Sequence, residues 1–192
     1  MSVRPPLLDE VARRGHAVFE RGLYNLNIIG IRSPDRTSNE FNDRICVVYR
    51  DGDGWVTRTF AATTDPGVYW REHPMNVRGT AIMCPGQYRG SHVLGYHRSR
   101  YEALVQSRPV RYWRDDNRDE VLDMEPGTDE AGVVGLNIHR ASASRRSTEI
   151  GKFSAGCQVF ADPYDFDLFV NLCKQAAELY GPRFTYTLIE ME

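Results

Sequence analysis

The residues that could carry out chemistry are concentrated in one segment, GLNIHRASASRRSTEIGKFSAGCQVF, at positions 135–160. His139 ends an apolar, β-prone run, and Cys157 follows it eighteen positions later. A cysteine hydrolase needs a thiol nucleophile, a base that removes the thiol proton, and N–H donors for the oxyanion. We predict that Cys157 is the nucleophile and His139 the base, which would lower the pKa of the thiol from its free value of about 8.5. The alternative is an inert core cysteine, since free cysteines are commonly buried.

The residues just before Cys157 suit this chemistry. Gly156 lets the backbone turn sharply and lets a substrate approach closely. The N–H groups of Gly156 and Cys157 are therefore predicted to face the developing oxyanion. Ser154 is predicted to hydrogen-bond nearby backbone and to hold the loop.

This pattern resembles the catalytic motif of the L,D-transpeptidase (YkuD-like) family. It consists of His139, fourteen intervening residues and then Ser154-x-Gly156-Cys157. The resemblance implies a β-rich fold and an acyl-enzyme formed on Cys157 with His139 as the base. It also implies that peptidoglycan stem peptides are the partners, and that the acyl group passes to an amine or to water.

This chain departs from the family motif in three places, and as a whole it resembles a divergent bacterial or phage subgroup. The family has a histidine where this chain has Ala155, and a small residue where it has Arg140. After the cysteine, the family has an apolar residue and then Arg or Asn, where this chain has Gln158 and Val159. We expect Arg140 and Gln158 to contact substrate in an atypical pocket.

A second group of candidates lies in PGQYRGSHVLGYHRSRYEALVQ, at positions 85–106. Tyr88, His92 and His97 are predicted to form a substrate wall, with nearby arginines that would bind the carboxylates of stem peptides. A zinc metallopeptidase built on the two histidines is a weaker alternative, because their five-residue spacing fits no compact zinc motif. We predict no metal and no cofactor.

A third candidate is Asp65, in the segment ATTDPGVYW at positions 62–70. Asp-Pro-Gly is typical of a turn. The alternative is that Asp65 borders the cleft and contacts substrate, because this loop follows a strand that could neighbour the motif.

Composition sets limits on the function. The chain has 192 residues and a formal net charge of −2, which disfavours electrostatic binding of nucleic acid. The N-terminus lacks the apolar run of a signal peptide, and no apolar stretch is long enough to insert in a membrane. We therefore expect synthesis in the cytoplasm and action on the cell wall after release or delivery.

The coarse pattern of elements predicts a single catalytic domain over residues 1–192, with an N-terminal helical segment at 1–22. Apolar spacing indicates helices over 6–21 and 164–180. Short strands are predicted at 23–32, 79–84, 109–115, 133–139 and 183–191, and a hairpin around DGDG at 51–54. The expected fold class is mixed α+β and β-rich, an antiparallel β-sandwich or barrel of the L,D-transpeptidase type with a helix near each terminus.

These observations favour a cysteine peptidase that cleaves peptidoglycan stem or cross-link peptides, as in a phage endolysin or a cell-wall hydrolase. The alternative is a non-catalytic binding or structural module of the same fold. Ala155 and Gln158 are the residues that make this alternative worth testing.

Overall fold

Eleven strands and three helices make up the part of the chain that the computed structural model describes, residues 3–52 and 54–190. The strands are β1 (Asn27–Arg32), β2 (Asp43–Asp51), β3 (Gly54–Thr63), β4 (Thr80–Met83), β5 (Gly86–His97), β6 (Tyr101–Gln106), β7 (Val110–Asp115), β8 (Glu130–Gly132), β9 (Ile138–Arg140), β10 (Gln158–Phe160) and β11 (Arg183–Glu190). The helices are α1 (Pro6–Arg13), α2 (Val68–Glu72) and α3 (Pro163–Tyr180). The β-rich, mixed α+β class expected from the sequence is confirmed.

Eight of the strands close into a barrel in the order β1-β11-β5-β6-β9-β10-β3-β2, and β4, β7 and β8 form a separate sheet. The pairs β1–β11 and β9–β10 are parallel, and the other pairs are antiparallel. Closure leaves the barrel without free edges. The predicted hairpin joins β2 to β3, and its residue Asp53 lies outside the described residues.

Strand β1 is apolar on both faces because each face is covered. Ile28 points into the barrel core, whereas Ile29 packs outside the barrel with Leu8 and Val11 of α1. Helix α3 adds aromatic side chains to the inner core, where Phe166 and Phe169 contact Phe160 of β10. Strand β10, which follows Cys157, is thus anchored in the aromatic part of the inner core. The structure has no helix in its described residues with the length and apolar character needed to cross a membrane.

Helix α1 is shorter than predicted, and the expectation of a helix over 6–21 is wrong beyond Arg13. Gly15 adopts a φ of 79°, a left-handed conformation that ends helices. Beyond Gly15, the side-chain amide of Asn27 binds both backbone groups of Phe19. Its Oδ1 accepts from Phe19 N at 2.8 Å, and its Nδ2 donates to Phe19 O at 2.9 Å. These tertiary hydrogen bonds hold the segment around Phe19 against β1, where the sequence pattern predicts a continuation of the helix.

The strand predicted over 133–139 is also shortened, to Ile138–Arg140. The Oε1 atom of Gln106 accepts hydrogen bonds from the N–H groups of Val134, Gly135 and Leu136, at 3.1, 2.9 and 2.9 Å. A single amide oxygen therefore holds residues 134–136 in a tight loop. The carbonyl oxygen of Gly135 in this loop contacts the sulfur of Cys157.

Candidate active site

Parallel pairing of β9 and β10 brings the two motif residues together. In the register, His139 lies opposite Val159, and Gln158 lies opposite Ile138. Cys157 immediately precedes β10, two residues before the partner of His139. Because side chains two residues apart on a strand share a face, the thiol and the imidazole lie on the same face of the pair.

The imidazole of His139 is almost fully buried and is oriented by its own backbone. Its Nδ1 donates to the carbonyl oxygen of Arg140 at 2.8 Å, and the hydroxyl of Tyr101 lies 3.3 Å from the same nitrogen. A neutral ring that donates from Nδ1 carries its lone pair on Nε2. Burial, followed by repulsion from His97, lowers the pKa of His139 to about 3. At neutral pH the ring is therefore an unprotonated base.

The predicted site residue His97 lies directly against His139. The two rings stack with their centroids 4.0 Å apart. The Nδ2 of Asn137 donates to His97 Nδ1 at 3.2 Å, and the Oδ1 of Asn137 accepts from Gln106 N at 2.9 Å, which fixes the orientation of the amide. His97 is thus neutral with its proton on Nε2, because burial lowers its pKa.

The thiol of Cys157 is partly exposed and protonated. Its Sγ donates to the carbonyl oxygen of Gly135 at 3.3 Å. Burial raises the pKa of Cys157 to about 11, although an N–H from Asn137 and the charge of Arg98 act in the opposite direction. The expectation of a lowered pKa is therefore wrong for this structure, and thiol and base rest as a neutral pair.

Alkylation of Cys157 is expected to report this raised pKa. With iodoacetamide at pH 7.5, the thiol is expected to react at least about tenfold more slowly than a small free thiol, because far less of it is ionised. The rate is expected to keep rising above pH 9, where a free thiol levels off. Mass spectrometry of the labelled protein measures both, with the Cys157→Ala variant as control for the buried cysteines at 46, 84 and 173. A rate that levels off below pH 8 would show instead a preformed thiolate–imidazolium pair.

Ser154 and Gly156 shape the loop that carries the nucleophile. The buried hydroxyl of Ser154 donates to the carbonyl oxygen of Cys157 at 2.8 Å and accepts from Gly156 N at 3.2 Å. Ser154 is thus placed where it can hold the loop. Because the N–H of Gly156 donates to Ser154, it does not point freely at an oxyanion as predicted. The N–H of Cys157 is then the candidate oxyanion donor of the motif.

Both the backbone conformation at position 156 and the atoms packed around it require a glycine there. Its φ is +109°, and a Cβ atom built there would lie 2.1 Å from the carbonyl oxygen of Ala81 on β4. The loop at 154–157 therefore packs directly against β4 of the small sheet, and this contact positions Cys157 relative to that sheet.

Two of the residues predicted to form a substrate wall point elsewhere. His92 is fully buried inside the barrel, where its Nε2 donates to Leu136 O at 2.9 Å and burial lowers its pKa to about 4. The hydroxyl of Tyr88 donates to the carbonyl oxygen of Cys84 at 2.6 Å. These contacts support the loop before β9 and the end of β4, and they correct the prediction of a wall at these two positions.

Gln158 and Asp65 are also buried, which corrects their prediction as substrate contacts. The Oε1 of Gln158 accepts from the hydroxyl of Tyr186 at 2.8 Å inside the barrel. Asp65 pairs with Arg32 at 2.8 Å, and burial raises the pKa of its carboxyl to about 6. A strand entering a closed barrel turns its alternate side chains inward, and the sequence does not show which face is inside.

Arg140, which directly follows His139, faces a cavity. Its guanidinium lies 4.3 Å from the centroid of the Tyr101 ring. Both residues line a cavity of about 320 Å³, whose other wall includes Phe166 and Lys174 of α3. The structure thus leaves Arg140 accessible as a substrate contact and adds Tyr101, Asn137 and Gln106 to the site. None of the three carried a local motif in the sequence.

Among residues 3–52 and 54–190, no group of three or more His, Cys, Asp or Glu side chains is arranged to hold a metal ion. No protein-family model, curated protein or solved structure matches this chain. The geometry of the site and the His139–Cys157 motif are therefore the features that bear on function.

Proposed function

We propose that this protein is a cysteine acyl-transfer enzyme of the L,D-transpeptidase type, and that it cleaves peptidoglycan stem or cross-link peptides. One observation carries the proposal. The parallel pairing of β9 with β10 places a partly exposed thiol two residues before Val159, the partner of His139, and the Nδ1 of that neutral imidazole is bonded to its own strand at the Arg140 carbonyl. This arrangement of nucleophile, base and orienting group is the one that covalent catalysis needs.

The proposed reaction begins with the thiol of Cys157 and the neutral ring of His139. The sulfur attacks the peptide carbonyl carbon as its proton moves to His139 Nε2. The raised pKa of the thiol and the lowered pKa of the imidazole make this transfer unfavourable before attack, so attack and proton transfer occur together. The N–H of Cys157 donates to the oxyanion of the tetrahedral intermediate. The imidazolium then protonates the leaving amine, the C–N bond breaks, and a thioester remains on Cys157.

The second half of the reaction releases the acyl group. A water molecule gives a proton to His139 Nε2 and attacks the thioester carbonyl, and the same proton returns to the departing sulfur of Cys157. The products are a peptide carboxylic acid and the free enzyme. An amine in place of water would give a new peptide bond, which is transpeptidation.

Two features support a peptide with charged groups as the substrate. Arg140, the residue after the base, offers a guanidinium in a cavity, and a planar guanidinium binds carboxylates in a bidentate manner. Stem peptides of peptidoglycan are rich in carboxylates. The resemblance of the motif supports the same substrate class.

Digestion of purified peptidoglycan tests the proposal. The wild-type protein is expected to release new peptide ends, and a thioester adduct is expected on Cys157 when the digest is stopped in acid and measured by intact-protein mass spectrometry. The Cys157→Ala variant is expected to give neither, and Cys173→Ala, which alters a buried cysteine of α3, is expected to retain both if it folds. Unchanged peptidoglycan with the wild-type protein would contradict the proposal.

A non-catalytic wall-binding module of the same fold is the second candidate. It is favoured by two observations: the raised pKa of Cys157, and the use of the Gly156 N–H by Ser154. Under this alternative, wild-type and Cys157→Ala proteins would sediment equally with insoluble peptidoglycan, and neither would change its composition.

Replacement of His97 by asparagine is expected to alter the pH dependence of the reaction. At acid pH, where His97 also takes up a proton, its charge opposes protonation of His139, so removing this imidazole raises the pKa of the base. The acid limb of kcat/KM is therefore expected to move to higher pH by about half to one unit. The profile is measured between pH 3 and 8, with exposed His73→Asn as control; identical acid limbs for wild type and His97→Asn would contradict the role of the stacked ring.

A further inference from the structure

A cavity of about 300 Å³ opens beside the motif at the one position where this chain has lost the histidine of the related motif. Ala155 forms part of its wall, and Val134 forms another part. Ala155 directly precedes Gly156, and Val134 directly precedes Gly135, whose carbonyl accepts from the Cys157 thiol. The two chain segments that hold the sulfur thus also line the cavity, so a group seated there would adjoin the reacting bond.

The opposite wall of this cavity carries a cation. The side chain of Arg114 is only 13% exposed, and its Nη1 donates to Gly79 O at 3.0 Å. Its buried Nε has no hydrogen-bond partner, and the nearest carboxylate, that of Glu130, is 3.9 Å away. No acceptor for Nη2 occurs among residues 3–52 and 54–190.

Glu130 cannot neutralise this site completely. Its Oε1 is bonded to Arg78 at 2.8 Å, and its Oε2 accepts from the hydroxyl of Tyr112 at 3.0 Å. Two guanidinium groups therefore share this one carboxylate. A partly buried guanidinium with unused donors is suited to bind an anion strongly.

The rest of the lining combines the polar residues Asn76 and Thr80 with small or aliphatic surfaces. Met75 is exposed at the mouth, and Ala81, Val134 and Ala155 offer small or aliphatic surfaces. A ligand that complements both parts has a short aliphatic stem and a terminal carboxylate.

On the basis of the proposed function, we infer that this cavity is a substrate subsite, in which Arg114 binds the carboxylate at the end of an aliphatic side chain of the peptide substrate. Ala155 admits that side chain because a larger residue would fill the space. Arg114 is thus a specificity-determining residue, and the loss of the histidine widens the pocket.

Binding to the Cys157→Ala protein tests this inference without any need for turnover. The probes are two synthetic tripeptides, L-Ala–2-aminoadipate–D-Ala and the same peptide with its side-chain carboxylate converted to the amide. By isothermal titration calorimetry, the acid is expected to bind at least about tenfold more tightly than the amide. Adding Arg114→Met is expected to remove the difference, whereas Arg58→Met, which alters an exposed arginine on β3 outside the cavity, is expected to keep it.

A second variant tests the space beside Ala155 rather than the charge of Arg114. Ala155→Leu is expected to weaken binding of both peptides by about tenfold or more while leaving thermal unfolding unchanged. Equal binding of acid and amide, a preference that persists in Arg114→Met, or no binding of either peptide would overturn the inference. Acid-selective binding without any thioester on the wild-type protein would overturn the proposed function alone, and thioester formation without acid selectivity would overturn this inference alone.

Discussion

Replacement of His139 by alanine is expected to lower kcat/KM for peptide cleavage by about 10³–10⁴-fold. The thiol of Cys157 has a pKa raised to about 11, so almost none of it ionises at neutral pH without a base. General base catalysis by an oriented imidazole contributes roughly 10²–10⁴-fold in rate, and here it is also required to form the nucleophile. Rates are measured with a synthetic stem peptide at pH 7.5, alongside circular dichroism to show that the variant is folded.

The control for this prediction is His73→Ala, because His73 is 62% exposed on its side chain and lies at the end of α2. It is expected to leave kcat/KM unchanged. The double variant Cys157→Ser/His139→Ala is expected to be no slower than the slower single variant, since nucleophile and base act as one unit. Additive losses, or a His139→Ala protein that retains a tenth of the wild-type rate, would show that His139 is not the base.

Replacement of Gly156 by alanine is expected to destabilise the protein by at least about 3 kcal/mol. The residue has a φ of +109°, and the added Cβ would lie 2.1 Å from the backbone oxygen of Ala81. Neither atom belongs to a flexible side chain, so the loop must move off β4. The free energy of unfolding is measured by urea denaturation, and thioester formation is expected to be lost as well.

Gly127→Ala is the matched control for the backbone. Gly127 has a similarly left-handed φ of +85°, but no atom lies within 4 Å of its added Cβ. It is expected to cost only about 1 kcal/mol, the strain of the conformation alone. If both variants lost equal stability, the contact with Ala81 would not be what holds the motif loop.

The sequence predicts those parts of the fold that local patterns encode. Helix α3 shows apolar spacing, and in the structure the side chain of Asp162 accepts from Tyr164 N at its start and Gly181 ends it. The hairpin of β2 and β3 follows from its glycine-rich turn. Helix α1 was overextended because the hydrogen bonds of Asn27 to Phe19 are tertiary, and periodicity does not register them.

In the candidate site, the sequence identifies which residues carry chemistry better than it identifies where they point. His139 lies in β9 and Cys157 directly precedes the adjacent strand β10. His92 and Gln158 were assigned to substrate, yet the barrel turns them inward, because burial depends on closure and register. Gln106 and Asn137 were missed, since an amide whose importance lies in capping a distant loop has no local signature.

The parallel pairing of β9 and β10 has a consequence for how relatives of this protein are recognised. The connection between the strands begins at Ala141, and its residues at 143–146 are exposed to solvent. Nothing in the register of His139 opposite Val159 depends on how many residues this exposed tip contains. Insertions, deletions or a nick there would change the interval between base and nucleophile while leaving their geometry intact. A motif that lets this interval vary, and that requires instead His139 within a short strand and Cys157 directly before the parallel strand beside it, is therefore the more faithful description of the site.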